Sequence, residues 1–177
     1  MRYDINKAAL FIFLNKTCFN GLYRVNRKGE FNVSFGNLRS PKICDKDTLI
    51  AASEILQHVT ILNGDYSDTL KHASDKTFYY IDPPYKPVSN TSCFNSYTQK
   101  VFDDAEQERL RNFCPALSKA GSAWMLSNSN NGYIQNLYTR IANNYAITAK
   151  RSINSNGGKR GQILELLLTK KVGKHYP

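Results

Sequence analysis

The stretch that decides the fold is Lys76-Thr77-Phe78-Tyr79-Tyr80-Ile81-Asp82-Pro83-Pro84-Tyr85. A short β-branched and aromatic run, Thr77 to Ile81, predicts a buried strand. The strand stops at Asp82 because neither following proline has an N–H for a ladder and each fixes its own φ. A rigid, exposed turn at the carboxyl end of a strand is where open α/β sheets place their ligands.

The neighbouring segments extend this reading in both directions. Upstream, Val59 to Leu62 reads as a short strand ending in Asn63-Gly64-Asp65-Tyr66, and residues 68–73 as a connecting helix or turn. Downstream, Lys86 to Lys100 is polar and predicts a long loop. Asp103 to Leu117 predicts a helix with Asp103-Asp104 at its acidic start. Ser122 to Ser127 reads as a strand followed by a loop at 128–131, Tyr133 to Ile141 as a helix, and Tyr145 to Lys150 and Gln162 to Thr169 as strands. Helices alternating with strands argue for an α/β sheet that is mostly parallel, closed by an antiparallel pair.

The amino-terminal third has a different texture. Apolar residues at helical spacing (Ile5, Ala8, Ala9, Phe11, Ile12) predict a helix over 4–17 with Asp4 as N-cap. Glycines 21, 29 and 36 then punctuate an alternating segment, with a hairpin turn at Arg27-Lys28-Gly29-Glu30. Basic Arg24, Arg27, Lys28 and Arg39 are interleaved there with Phe19, Tyr23, Phe31 and Phe35. Such a segment is either a solvated hairpin with a small aromatic core or a ribbon laid against DNA, since two-stranded ribbons fit the major groove. Residues 46–58 predict another helix. The expected division is 1–57, helix and hairpin, and 58–177, the α/β part.

Across the 177 residues, 24 Lys and Arg outnumber 14 Asp and Glu, a formal charge of +10. The excess fits a polyanionic partner, because phosphate neutralisation supplies most non-specific nucleic-acid affinity. No apolar run reaches the roughly 20 residues a membrane span needs, and no signal peptide is visible, so a cytoplasmic location is expected. Cys18, Cys44, Cys93 and Cys114 lack zinc or redox spacing, His58, His72 and His175 are scattered, and no metal site is expected. Cys114 reads as structural.

The chemistry of the corner is specific. An exocyclic aromatic amine is a poor nucleophile while its lone pair is delocalised into the ring. Acceptors placed to take its hydrogens favour the localised state, and an aspartate and a proline carbonyl supply them while a tyrosine stacks on the ring. A base so held must leave its duplex. A methyl group on a sulfonium needs only in-line positioning to be transferred. Asp82-Pro83-Pro84-Tyr85 therefore suits methylation of an amine without metal or covalent intermediate.

The chain resembles the Dam-type DNA adenine-N6 methyltransferases, the D12 class. The resemblance rests on Asn15, Asn20-Gly21-Leu22, Arg24, Asn26, Gly29 to Val33 and Phe35-Gly36 in the hairpin. It continues through Asp82-Pro83-Pro84-Tyr85, Ser127-Asn128 and residues 151–158. It implies a partial Rossmann-like, S-adenosylmethionine-dependent methyltransferase sheet lacking its first strands, with a small DNA-recognition subdomain. It implies Asp82, Pro83, Pro84 and Tyr85 as the grip on a flipped adenine, and Asp65, Tyr66 and Asp82 as cofactor contacts. Arg24 would read a base of a GATC-like site in double-stranded DNA, Phe19, Asn20, Leu22 and Asn26 would lie along that DNA, and Asn154, Ser155 and Lys159 would face phosphate. The family's Phe-x-Gly-x-Gly loop has no counterpart here, so the expectation is a carboxyl-terminal part of the pattern, needing a second polypeptide or copy to complete the sheet. A non-catalytic DNA-binding remnant, one half of a split methyltransferase and an unrelated α/β binding protein are the alternatives.

Overall fold

The computed structural model describes residues 4–26, 28–87, 102–150 and 162–171. They fall into two compact units that divide between Asn63 and Gly64.

In the first unit, helix α1 spans Ile5–Thr17 and starts as expected on Asp4, whose carboxylate accepts from Lys7 N–H at 3.0 Å. It ends where Cys18 turns to extended backbone. Asn20 and Gly21 then take positive φ, 55° and 62°, in a one-turn 3₁₀ segment, Phe19–Gly21. The hairpin is held at two points, Cys18 opposite Phe35 and Val25 opposite Phe31, and not by a continuous ladder. Asn26 shapes its tip: the amide oxygen accepts from the N–H of Lys28 and of Glu30, and the amide nitrogen donates to the Glu30 carboxylate. Tyr23 packs between Phe11 and Phe31, with ring centroids 5.4 and 6.0 Å away. Helix α2, Lys46–Leu56, follows.

The second unit is a four-stranded sheet with one face covered by helices. Its strands are β1, Phe78–Ile81, β2, Ala123–Ser129, β3, Ala142–Lys150, and β4, Gln162–Lys170, in the order β1-β2-β4-β3. Only β1 and β2 run parallel; β4 is antiparallel to both its neighbours. The expected parallel majority is thus corrected. The twelve residues between β2 and β3 hold a short helix, and β4 returns between them, which forces two antiparallel contacts. Val59 to Leu62 is likewise not a strand: Ile61 is 73 % exposed and the segment has irregular backbone. The segment is four residues long with three apolar side chains, and such short runs do not discriminate without a partner strand.

Helix α3, Asp104–Lys119, begins on Asp103, which accepts from Glu106 N–H at 3.0 Å. The helix buries Leu110, Phe113, Cys114 and Leu117 against Trp124, Leu126, Leu166 and Leu168. Helix α4, Gly132–Tyr138, adds Ile134 and Tyr138 to the same layer. Full burial of each such side chain is worth about 1.5–3 kcal/mol. Burying Cys114 pushes its thiol up to about 12, which suits the structural role expected of it.

Candidate active site

Strand β1 delivers the turn, and the register decides what it meets. Phe78 and Tyr80 lie beside Ala123 and Met125, so Asp82, two residues on, falls beside Ser127. Ser127 Oγ donates to Asp82 Oδ1 at 2.9 Å. Tyr85 Oη donates to Glu165 Oε2 at 3.3 Å, and burial pushes its phenol up. Ser127, opposite Leu167, shares a sheet face with Glu165. The turn therefore presents its carboxylate and its ring toward the face opposite the helices.

The same turn is also gripped along its backbone, by Gln107 and Asn128 from the helix-covered side and by Ser129 at the end of β2. Gln107 Nε2 donates to the Pro84 carbonyl at 3.0 Å, and Lys86 N–H donates to Asn128 Oδ1 at 3.1 Å. Ser129 Oγ donates to the Lys86 carbonyl at 2.6 Å. The Lys86 ammonium pairs with Asp104 and lies 5.0 Å from the Tyr133 ring centroid. Among the described residues, none donates to the Pro83 carbonyl or to Asp82 Oδ2. Among the described residues, one carboxylate oxygen and one proline carbonyl thus stand open at the end of a strand.

A second cluster sits at residues 65–66. Asp65 caps the 3₁₀ segment Tyr66–His72 through Ser67 N–H, and Arg109 grips it bidentately at 3.0 and 2.8 Å. The Arg109 guanidinium holds the Asp65 carboxyl well below the usual carboxylate range. That guanidinium also lies 4.4 Å from the Tyr66 ring centroid, while Phe113 meets the same ring edge-on. The Tyr66 hydroxyl is buried without a hydrogen-bond partner among the described residues.

A profile of the D12 class N6 adenine-specific DNA methyltransferases matches residues 1–153. The chain belongs to that family. It is 47 % identical over 167 residues to the type II methyltransferase M.MjaIII of Methanocaldococcus jannaschii, an alignment covering 93 % of this chain and 57 % of that protein. The type II methyltransferase M1.LlaDCHI of Lactococcus lactis subsp. cremoris is 39 % identical over 94 % of this chain and 59 % of its own length. The DNA adenine methylase of Escherichia coli K12 is 34 % identical over 97 % of this chain and 61 % of its own length. The chain thus spans about three fifths of the length of these relatives.

The residues singled out in the sequence are brought together only in part. Asp82, Pro83, Pro84 and Tyr85 form one corner, and Asp65 and Tyr66 form the Arg109 cluster of the same unit. Phe19, Asn20, Leu22, Arg24 and Asn26 lie in the first unit, around the start of the hairpin. Arg24 is fixed across it, its Nε to Asn32 Oδ1 at 2.9 Å and its Nη2 to the Asn32 carbonyl at 2.8 Å. Asn154, Ser155 and Lys159, and the loop from residue 88 onward, lie outside the described residues. Sequence reasoning gave no role to Gln107, Arg109 or Glu165, and none to Ser127 and Asn128 beyond their resemblance to the family. For Gln107 a signal existed: it occupies a position on the α3 stripe where the local periodicity asks for an apolar residue.

Proposed function

We propose that this D12-class chain takes part in site-specific methylation of adenine N6 in double-stranded DNA at a GATC-like sequence. The observation that carries this reading is the open pair of acceptors at the corner, Asp82 Oδ2 and the Pro83 carbonyl, beside the Tyr85 ring. The two acceptors would take the two amino hydrogens of a flipped adenine. Ser127 holds the other Asp82 oxygen, so the carboxylate keeps one orientation while it withdraws amine density from the ring. Tyr85, tethered through its hydroxyl, stacks on the base and excludes water from one side. The hairpin would read the sequence through Arg24, whose fork Asn32 holds in place; Phe19 and Asn20 would fill the space beside the displaced base.

S-Adenosylmethionine is the donor this reading requires, and it supplies an electrophilic methyl group. Asp65 and Tyr66 are the residues of this chain that would hold its adenosyl part. The fit is to a half-exposed carboxylate already ionised by Arg109, an acceptor for ribose hydroxyls, and to an aromatic ring whose hydroxyl has no hydrogen-bond partner among the described residues. A DNA-modifying role also accords with a cytoplasmic location.

Edge strand β1 supports the sheet-completing partner. Phe78 and Tyr80 are 59 % and 60 % exposed on it, and its outer edge has no strand beside it among the described residues. A second polypeptide or a second copy would pair there. Sedimentation of the chain and of Tyr80→Lys at rising concentration separates them: equal behaviour of both as monomers argues against self-pairing.

The test of the function is transfer of labelled methyl from S-adenosylmethionine to a GATC-containing duplex. Asp82→Ala should remove it by a factor of about 10² or more. Transfer that survives Asp82→Ala overturns the assignment. Calorimetry with S-adenosylmethionine decides whether this chain binds donor unaided or serves as the DNA-holding part of a split enzyme.

A further inference from the structure

Two buried amides stand where the sequence period asks for leucine. Gln107 belongs to the α3 stripe of Leu110, Cys114 and Leu117, and Asn128 continues the β2 row of Trp124 and Leu126, opposite Leu166. Both are completely buried. A pair of apolar side chains at such positions would be about as stable, because buried amides must first be desolvated. Core packing therefore does not account for them.

Their hydrogen bonds do. Lys86 N–H donates to Asn128 Oδ1, Asn128 Nδ2 donates to Gln107 Oε1 at 3.1 Å, and Gln107 Nε2 donates to the Pro84 carbonyl. Asn128 Oδ1 also accepts from Ser129 N–H at 2.8 Å, which fixes the amide's direction. The relay starts and ends on the same piece of backbone, on either side of Tyr85. It does for residues 84–86 what a neighbouring strand does elsewhere. The turn needs such a substitute because Pro83 and Pro84 bring no N–H to any ladder.

We propose that Gln107 and Asn128 are positioning residues for the amine-accepting corner. From the helix-covered face they set the backbone around Tyr85, so that its ring and the two open acceptors face the target base together. This inference rests on the adenine-binding reading above and assigns two residues that touch neither base nor donor.

The experiment compares duplexes that carry either adenine or purine, which lacks the 6-amino group, at the target position of GATC. In both, the base lies opposite an abasic site, so neither is paired. The unaltered chain should prefer adenine. Gln107→Met, close in volume and without hydrogen bonds, should reduce that preference about five- to tenfold, while affinity for non-cognate DNA and the near-ultraviolet dichroism stay as they were. Gln107→Glu supplies a rescue. When protonated, its hydroxyl can donate to the Pro84 carbonyl while its carbonyl accepts from Asn128, so preference should return as pH falls from 9 to 6. An undiminished preference in folded Gln107→Met overturns the positioning role. Should Gln107→Met fail to fold, a preference in Gln107→Glu that ignores pH overturns it instead. Absence of any preference in the unaltered chain is a separate outcome, which removes the adenine-binding reading and this inference with it.

Discussion

Asp82 and Cys114 show how one unit sets two reactive side chains in opposite ways. Asp82 is exposed and orientated by one serine hydroxyl, with its second oxygen left open among the described residues. Cys114 is fully buried in α3 and donates weakly to the Leu110 carbonyl at 3.5 Å. Its raised pKa has a consequence for stability. The unfolded chain releases the thiol proton from about 9, whereas the folded chain keeps it until about 12. Between these values the native state binds more protons than the unfolded state, so stability is complete below pH 9 and falls as pH rises toward 12. The thiol alone contributes a slope of about 1.4 kcal/mol per pH unit. Tyr138, pushed up by burial in the same layer, steepens the decline. Urea unfolding at pH 8 and pH 10.5 measures it, and Cys114→Ala should flatten it. An equal slope in both proteins would show that Cys114 is not the group responsible. In native protein at pH 8, alkylation should reach Cys44, which is exposed, well before Cys114.

At the scale of elements, what could be read in advance followed local chemistry. Helix α3 starts on the aspartate that its acidic first turn suggests, and β1 stops where two prolines stop it. What could not be read depends on partners distant in sequence. Asn128 and Ser129 look like loop residues, yet β4 pairs with them and keeps β2 extended to Ser129. The grip on Pro84 and Lys86 comes from residues 23 to 43 positions away, so a local pattern marks Gln107 as a polar residue in an apolar stripe but does not say what it holds. In the first unit, the end of α1 and the hairpin meet at Gly36, whose N–H donates to the Thr17 carbonyl at 2.8 Å. A Cβ at Gly36 would lie 2.5 Å from the Cys18 carbonyl oxygen and 2.8 Å from its carbon, both backbone atoms that cannot move aside. Gly36→Ala should therefore cost the unit about 1–3 kcal/mol. Faster amide exchange at Phe19 and Gly36, with the α3–β2 core unchanged, is the expected signature. Unaltered exchange at those two amides would mean that the junction yields without cost.

Across the whole molecule, the excess of ten positive charges and the fixed fork of Arg24 make separable demands on DNA binding. Phosphate contacts give affinity that falls linearly in log–log form with salt and ignores sequence. A guanidinium on a base edge gives preference for one sequence and contributes little to the salt slope. The two terms predict different results for substitutions of the same charge. Arg24→Ala should lower affinity for a GATC duplex by about 1–3 kcal/mol and bring it close to that for scrambled sequence, leaving the slope nearly constant. Lys28→Ala, at the hairpin tip, should weaken both duplexes equally and reduce the slope by about one. Asn32→Ala gives the third arm. It removes the side-chain half of the Arg24 clamp but keeps the bond to the Asn32 carbonyl, so its loss of preference should be smaller than that of Arg24→Ala. If Arg24→Ala instead weakens all sequences alike and lowers the slope, Arg24 is a phosphate contact, and sequence reading must come from elsewhere in the chain.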